Sequence, residues 1–155
     1  MMKIYVASSW RNARQPQVVD MLTRAGHEAY DFRNPPGATG FAWHEVGLAT
    51  DRQTLGGHDT VPTLDFLDAM DHPRAHAAFG SDFAAMHWAD ACVLVTPCGR
   101  SAHLELGWAV GAGKRTAVLL DHHVTPELMY GMVDHLTVSE PELLAWLADI
   151  EAFGG

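Results

Sequence analysis

The stretch ACVLVTPCGRSAHLELGWAVGAG, residues 91–113, combines a strand, a turn and a helix, and it decides the fold of the whole chain. Ala91–Thr96 is a short apolar run rich in valine, which is typical of a strand buried on both faces. Pro97–Arg100 is a Pro/Gly turn that ends the strand. Ser101–Gly113 has the residue pattern of a helix.

The ends and the inner face of this helix can be predicted from its residue types. Ser101 is the predicted N-cap, and Gly113 is the predicted C′ residue. Three residues recur at helical spacing and are predicted to face the sheet: Leu104, Trp108 and Gly111.

Glu105 lies one turn into the predicted helix, off that apolar line. A carboxylate near a helix N-terminus, beside a glycine loop at the end of a buried strand, lies where open α/β sheets bind ligands. A second interpretation is that Glu105 only complements the helix dipole. The spacing alone favours neither interpretation.

Composition predicts one soluble domain covering residues 1–155, with 48% hydrophobic and 19% charged residues. The net charge of −9 argues against a nucleic-acid polymer as partner, but it permits one small anionic ligand bound by local arginines. No run is long enough to span a bilayer, and no signal peptide is recognisable. Cys92 and Cys98 are not expected to form a disulfide, and a cytoplasmic location is predicted.

Strand and helix patterns alternate along the rest of the chain. The predicted strands are 3–8, 27–32, 91–96, 115–120 and 135–139; the predicted helices are 15–25, 63–70, 73–89, 101–113, 126–132 and 140–153. This alternation predicts an α/β fold of three layers, with a five-stranded parallel sheet covered by helices on both faces, in a flavodoxin-like or Rossmann-like strand order. Neither a Gly-x-Gly-x-x-Gly nor a Walker motif is present.

The long Gly/Pro-rich stretch 34–62 is typical of a functional or a disordered loop. Its aromatic residues Phe41 and Trp43 favour a lid or a substrate wall, although a surface loop that covers the sheet explains them equally well. Asp82 lies in the middle of a predicted helix, where such an acid is usually just solvated.

Several of these pieces together resemble the nucleoside 2-deoxyribosyltransferase family, which includes the deoxynucleoside 5′-monophosphate N-glycosidases. The matching pieces are KIYVASSW near the start, Asp82 upstream of ADACVLV, the glycine loop, and HLELGWAVGAGK. The most specific part is the Glu-Leu-Gly-aromatic-Ala core at 105–109.

The resemblance implies an enzyme of nucleotide salvage that uses no metal or other cofactor. It implies that Glu105 attacks the anomeric carbon of a 2-deoxyribose to form a covalent ester, which a second base or water resolves. It assigns Asp82 to the nucleobase side, where it assists proton transfer, and Tyr5 to a hydrogen bond that steadies the nucleophile. The implied substrate-binding residues are Ser8, Ser9, Trp10, Arg11, Arg33, Gly99, Arg100 and Ser101.

The segment Pro126–Met129, PELM, resembles the piece that family members insert into a neighbour's site, which implies a homodimer or larger oligomer. Glu127 and Met129 are then substrate-binding residues of the neighbouring site. Glu127 stands where transferases have asparagine and the monophosphate enzymes have serine. Its carboxylate suits a 5′-hydroxyl and repels a phosphate. Arg11, Arg33 and Arg100 favour the opposite substrate, since guanidinium groups suit a phosphate.

The sequence leaves open whether the substrate is a nucleoside or its 5′-monophosphate, whether the base is a purine or a pyrimidine, and whether water or a base is the acceptor. Gly99 replaces the acid that the transferases have six positions before the nucleophile and the serine of the monophosphate enzymes.

Other chemistries find less support in the residues. His72 and His76 have helical spacing, but no His-Glu-x-x-His motif accompanies them, so a catalytic metal is not expected. Leu104 occupies the place of the arginine in a Cys-x5-Arg phosphate loop, so a cysteine phosphatase is not expected either. The main alternative is a non-catalytic nucleoside- or nucleotide-binding domain on the same fold.

Overall fold

A computed structural model describes residues 1–48 and 60–153 of the chain. Its contacts divide into a larger compact unit, Met1–Phe32 with Ala85–Gly155, and a smaller one, Arg33–Ala84. The part of stretch 34–62 that covers residues 49–59 lies outside the described residues, so the lid or wall prediction is untested there.

The larger unit contains a five-stranded parallel sheet in the order β2-β1-β3-β4-β5. The strands are β1 Lys3–Ala7, β2 Glu28–Tyr30, β3 Ala91–Val95, β4 Arg115–Leu119 and β5 His135–Thr137. This flavodoxin-like order confirms the predicted fold class.

Helices α1 Gln15–Arg24, α4 Arg100–Gly111 and α5 Glu140–Phe153 pack on this sheet. A fourth helix, α3 Pro73–Trp88, begins in the smaller unit and ends in the larger one. A 3₁₀ turn covers Leu128–Met132, within the predicted helix 126–132.

One face of the sheet holds a hydrophobic cluster of buried residues. Alternate strand residues meet α1 and α5 there; the cluster consists of Ile4, Val6, Val18, Leu22, Ala91, Val93, Val95, Ala117, Leu119, Leu143 and Leu147. Because neighbouring strand residues point to opposite faces, Tyr5 and Cys92 face the other side, which α4 covers. The three-layer arrangement follows from this alternation.

Helix α4 differs from its prediction at two points. It begins at Arg100 with Gly99 as the N-cap, because Gly99 has the extended backbone that a cap requires; Ser101 is therefore an exposed residue inside the first turn. The face that packs on the sheet is Ala102, Leu106 and Ala109, whereas Leu104 is 75% exposed.

The other end of α4 agrees with the prediction. Gly113 follows the C-cap Ala112 and has a φ of 71°, which favours glycine. Gly26 ends α1 in the same way, with a φ of 90°. In α1 the buried residues are Gln15, Val18 and Leu22, while the predicted core residue Ala25 is exposed.

The smaller unit contains helix α2 Thr63–Met70, the first part of α3, and a 3₁₀ turn at Trp43–Val46. Arg74 holds residues 39–45 together: its guanidinium pairs with Glu45 at 2.8 Å and donates to the carbonyl oxygen of Gly40 at 2.6 Å. The rings of Phe41 and Trp43 meet edge to face at 5.0 Å. The described part of stretch 34–62 therefore has defined side-chain contacts.

Candidate active site

The chain reverses its winding direction between β1 and β3, which are neighbours in the sheet. In open parallel sheets the crevice outside the carboxyl ends of such a strand pair is the usual place for a ligand. Ser8 follows β1 and Thr96 follows β3, so the residues after these two positions border that crevice.

Asn12 joins the ends of these two strands. Its buried side-chain amide donates to the carbonyl oxygens of Val95 at 3.2 Å and Pro97 at 3.1 Å. Ser8 adds a hydrogen bond from its hydroxyl to the Val95 carbonyl at 2.8 Å. The loops after β1 and β3 are thus fixed to each other. Asn12 is not among the functional residues predicted from the sequence, although an amide in the turn after the first strand is a signal for this role.

Glu105 lies on α4 and is half-buried, so part of its side chain stays accessible. It lines a narrow depression on the α4 side of the sheet, together with Tyr5, Met86, Cys92, Trp108 and Lys114. The structure therefore brings together two of the three predicted catalytic residues, Glu105 and Tyr5. The depression itself is too narrow to admit a water-sized sphere.

The charge of Glu105 acts on both cysteines. Burial raises the pKa of the Cys92 thiol far above its ordinary value, and the Glu105 carboxylate raises it further. Burial, followed by the charge of Glu105, raises the pKa of Cys98 to about 11. Both thiols are therefore protonated at neutral pH.

Lys114 supplies a positive charge to the same depression. Its ammonium group donates to the carbonyl oxygens of Ala89 and, at 3.1 Å, of His87, where α3 ends. It also lies 5.8 Å from the ring centre of Trp108. A cation at the C-terminal end of a helix is favoured by the helix dipole, so Lys114 is held in place by α3.

Seven predicted substrate-binding residues of the larger unit lie in the loop after β1, at the N-cap of α4 or in the first turn of that helix. Ser8 and Ser9 are half-buried, while Arg11, Gly99, Arg100 and Ser101 are exposed. Trp10 is half exposed and meets the ring of Phe32 edge to face at 5.5 Å. A Cβ atom added at Gly99 would meet nothing within 4 Å, so the space beside this residue is open.

Two predicted site residues, Asp82 and Arg33, belong to the smaller unit. Both are half-buried. Their predicted roles toward the substrate remain predictions.

Glu127 and Met129 lie at the beginning of the 3₁₀ turn Leu128–Met132. A Glu127 carboxylate oxygen caps the turn by accepting a hydrogen bond from the Met129 amide at 2.9 Å. The side chains of Leu128 and Met129 are 91% and 55% exposed. This segment therefore presents apolar side chains to its surroundings.

Within residues 1–48 and 60–153, no three His, Cys, Asp or Glu side chains form a group that could hold a metal ion. Over the same ranges, none of the helices combines the length and the apolar character needed to cross a bilayer.

Two solved structures are similar to this chain in fold. One is a 2-deoxyribosyltransferase from the psychrotolerant bacterium Bacillus psychrosaccharolyticus, with 17% sequence identity and a TM-score of 0.60 over 91% of this chain and 89% of that one. The other is the CMP N-glycosidase BcmB of Clostridium botulinum, with 16% identity and a TM-score of 0.52 over 94% and 97%. Neither a family model nor a curated protein sequence matches the chain. At these identities the likeness establishes the fold.

Proposed function

We propose that the protein is an enzyme that cleaves the N-glycosidic bond of 2′-deoxynucleosides or of their 5′-monophosphates and transfers the sugar to another base or to water. The observation that carries the proposal is the position of Glu105, half-buried on α4 and lining the same depression as Tyr5. The two proteins of similar fold are a 2-deoxyribosyltransferase and a CMP N-glycosidase, which supports this class of reaction.

In the first step, a carboxylate oxygen of Glu105 attacks C1′ of the sugar and forms an ester bond. The bond from C1′ to the base nitrogen breaks, and its electron pair leaves with the base, which takes up a proton. In the second step, water or a second base attacks C1′ and releases the Glu105 carboxylate. The sugar keeps its anomeric configuration because two displacements occur at the same carbon.

The remaining residues take supporting roles. We infer from the resemblance that Asp82 assists proton transfer to the leaving base, and that Tyr5 orients the Glu105 carboxylate by a hydrogen bond. Cys92 and Cys98 keep protonated thiols at neutral pH, so neither is expected to compete with Glu105 as the nucleophile.

The 5′ end of the sugar is proposed to bind at Gly99–Ser101, the N-cap and the first residues of α4, where N–H groups of the first turn and the Ser101 hydroxyl can donate hydrogen bonds. Arg11, Arg33 and Arg100 are the candidate partners of a 5′-phosphate, if the substrate carries one. Ser8, Ser9 and Trp10 are proposed to contact the base or the sugar.

The protein is proposed to act as a homodimer or larger oligomer, in which Glu127 and Met129 of one chain reach the substrate site of the next. The exposed apolar side chains of Leu128 and Met129 support this role, since such side chains are commonly covered by a partner. The Glu127 carboxylate favours a free 5′-hydroxyl over a phosphate at that position.

The test is a panel of purine and pyrimidine 2′-deoxynucleosides and their 5′-monophosphates, with release of the free base as the readout. The wild-type protein is expected to release base from at least one of them. Glu105→Gln keeps the shape of the side chain but removes the nucleophile, and it should lower base release by about a thousandfold or more. Denaturing mass spectrometry of the wild type with substrate should detect one deoxyribosyl group added at Glu105.

Glu28→Gln is the matched control, because Glu28 is an exposed glutamate at the start of β2. It should leave base release unchanged. Adding a second nucleobase to the assay distinguishes two kinds of enzyme. Exchange of bases identifies a transferase, and release of free deoxyribose alone identifies a hydrolase. Undiminished cleavage by Glu105→Gln contradicts the proposal, and ligand binding without any turnover in the wild type identifies a non-catalytic binding domain.

A further inference from the structure

A three-residue network connects the start of α4 with the 3₁₀ turn Leu128–Met132. His103 lies in the first turn of α4, and its Nδ1 atom is 2.8 Å from the carbonyl oxygen of Gly99. Its Nε2 atom is 2.8 Å from the hydroxyl of Tyr130. The two rings are nearly parallel, with an interplanar angle of 8° and centres 5.7 Å apart. His103 therefore contacts two elements that are far apart in the sequence.

The chemistry of the partners fixes how this network is protonated. The Gly99 carbonyl can only accept a hydrogen bond, so Nδ1 of a neutral His103 must carry the proton. Nε2 is then an acceptor, and the Tyr130 hydroxyl must donate to it. Burial raises the pKa of Tyr130 to about 12, so this hydroxyl keeps its proton at neutral pH and remains a donor. In this arrangement each donor of the Gly99–His103–Tyr130 network faces an acceptor.

We propose that His103 is a positioning residue, which holds the N-cap Gly99 and the start of α4 in their substrate-binding conformation by tying Gly99 to Tyr130. This inference rests on the proposed function, in which residues 99–101 bind the 5′ end of the sugar. Tyr130 is buried, and Glu127 caps the 3₁₀ turn that contains it. The Tyr130 hydroxyl is therefore held in a fixed position beside the start of α4.

His103 acts through Gly99 because it faces away from the reacting carbon. Glu105 follows two residues later, which is about 200° around the helix axis. Glu105 lines the depression with Tyr5 and Cys92, whereas His103 lines a separate cavity of about 150 Å³ with Glu127, Met129 and Tyr130. Loss of the network should therefore weaken substrate binding without disturbing the nucleophile.

The first test compares steady-state kinetics of variants of the network. Tyr130→Phe keeps the ring and removes the hydroxyl; it should raise KM about three- to tenfold and change kcat by less than about twofold, as expected for one lost hydrogen bond. His103→Asn keeps an N–H donor for Gly99 and should resemble Tyr130→Phe. His103→Ala loses both bonds, together with the 3.8 Å contact between Nδ1 and the Cys98 Sγ atom, and should raise KM further.

Adding Tyr130→Phe to His103→Ala should have no additional effect, because the hydroxyl then has no imidazole to bind. His123→Ala, which replaces an exposed histidine of the β4–β5 connection, is the control and should behave as the wild type. A merely structural role would lower kcat and the melting temperature together and leave KM unchanged, and that result overturns the inference. Additive effects of the two substitutions also overturn it.

The second test needs no turnover. In the wild type, the ¹⁵N NMR signals of the His103 ring should be those of the Nδ1-protonated tautomer. Backbone order parameters of residues 98–101 should fall from about 0.85 toward 0.6 in His103→Ala. Unchanged order parameters in that variant, or the opposite tautomer, overturn the positioning role. If the wild type releases no base from any substrate, the proposed function fails, while this measurement still decides whether His103 holds the start of α4.

Discussion

The electrostatic environment around Glu105 affects how reactive the two cysteines of the chain are. Cys92 and Cys98 lie close enough for the Glu105 charge to raise the pKa of both thiols. Burial acts in the same direction and contributes more in each case. Thiols of this kind are poor nucleophiles at neutral pH, because only the thiolate reacts readily. Neither thiol is therefore expected to act as a nucleophile at neutral pH.

The Cys98 thiol gives a pH-dependent prediction. Its pKa of about 11 in the folded protein exceeds the ordinary value of 9.0, so the unfolded chain loses this proton first as the pH rises. The stability that the protonated thiol contributes is complete below about pH 9 and declines between about pH 9 and 11. Alkylation of Cys98 in the native protein should accordingly rise with an apparent pKa near 11.

Glu105→Gln tests whether the charge of Glu105 contributes to the raised pKa of Cys98. Removal of the negative charge should move the apparent pKa of Cys98 downward, while Glu28→Gln should leave it unchanged. Mass spectrometry of the alkylated peptides distinguishes Cys98 from the buried Cys92. An alkylation profile of the wild type centred at pH 9 would contradict both the burial of Cys98 and its proximity to Glu105.

At the level of the element, α4 has two stripes with helical spacing, and the sequence alone did not identify the buried one. The stripe with Leu104 and Trp108 has the larger side chains. The sheet instead packs against Ala102, Leu106 and Ala109, because small alanines allow the helix axis to approach the strands closely. The choice depends on the shape of the opposing sheet, which a helical period does not contain.

The corrected face of α4 predicts how two leucines respond to truncation. Leu106 is 5% exposed, and Leu106→Ala should lower the free energy of unfolding by about 2 to 4 kcal/mol. Leu104 is 75% exposed, and Leu104→Ala should change it by less than about 0.5 kcal/mol. Chemical denaturation of both variants is the measurement. If Leu104→Ala lowers the free energy of unfolding more than Leu106→Ala does, the face of α4 that packs on the sheet is not the one with Ala102, Leu106 and Ala109.

Local signals were sufficient to predict most of the element boundaries. Gly26 and Gly113 end α1 and α4 as expected, and α5 covers the predicted residues Glu140–Phe153. The sequence does not predict the contact of His103 with Tyr130, because the two residues are 27 positions apart and meet only through the folded β4–β5 connection. The same limit applies to Asn12, whose partners Val95 and Pro97 are more than 80 positions away.

At the level of the whole molecule, the strand order explains why one site can draw residues from distant parts of the chain. β1 and β3 are neighbours, so Tyr5 and the loop after Ala7 come to lie beside Cys92 and the loop after Val95. The alternating pattern of strands and helices predicted the parallel sheet, whereas the site residues that the resemblance implies remain predictions. The pairing of Asp82 with Glu105 remains a prediction, because these residues belong to different units.

If sites are shared between chains as proposed, mixing two inactive variants should recover activity. One chain carries Glu105→Gln and keeps an intact segment 126–129; the other carries Glu127→Ala with Met129→Ala and keeps Glu105. A mixed dimer contains one site with both parts intact. Random pairing of equal amounts makes half of the dimers mixed, so about a quarter of the wild-type sites should be active. Light scattering should give the mass of a dimer or a larger oligomer. If each site instead lies within one chain, co-refolded mixtures will have only the summed activity of the two separate variants.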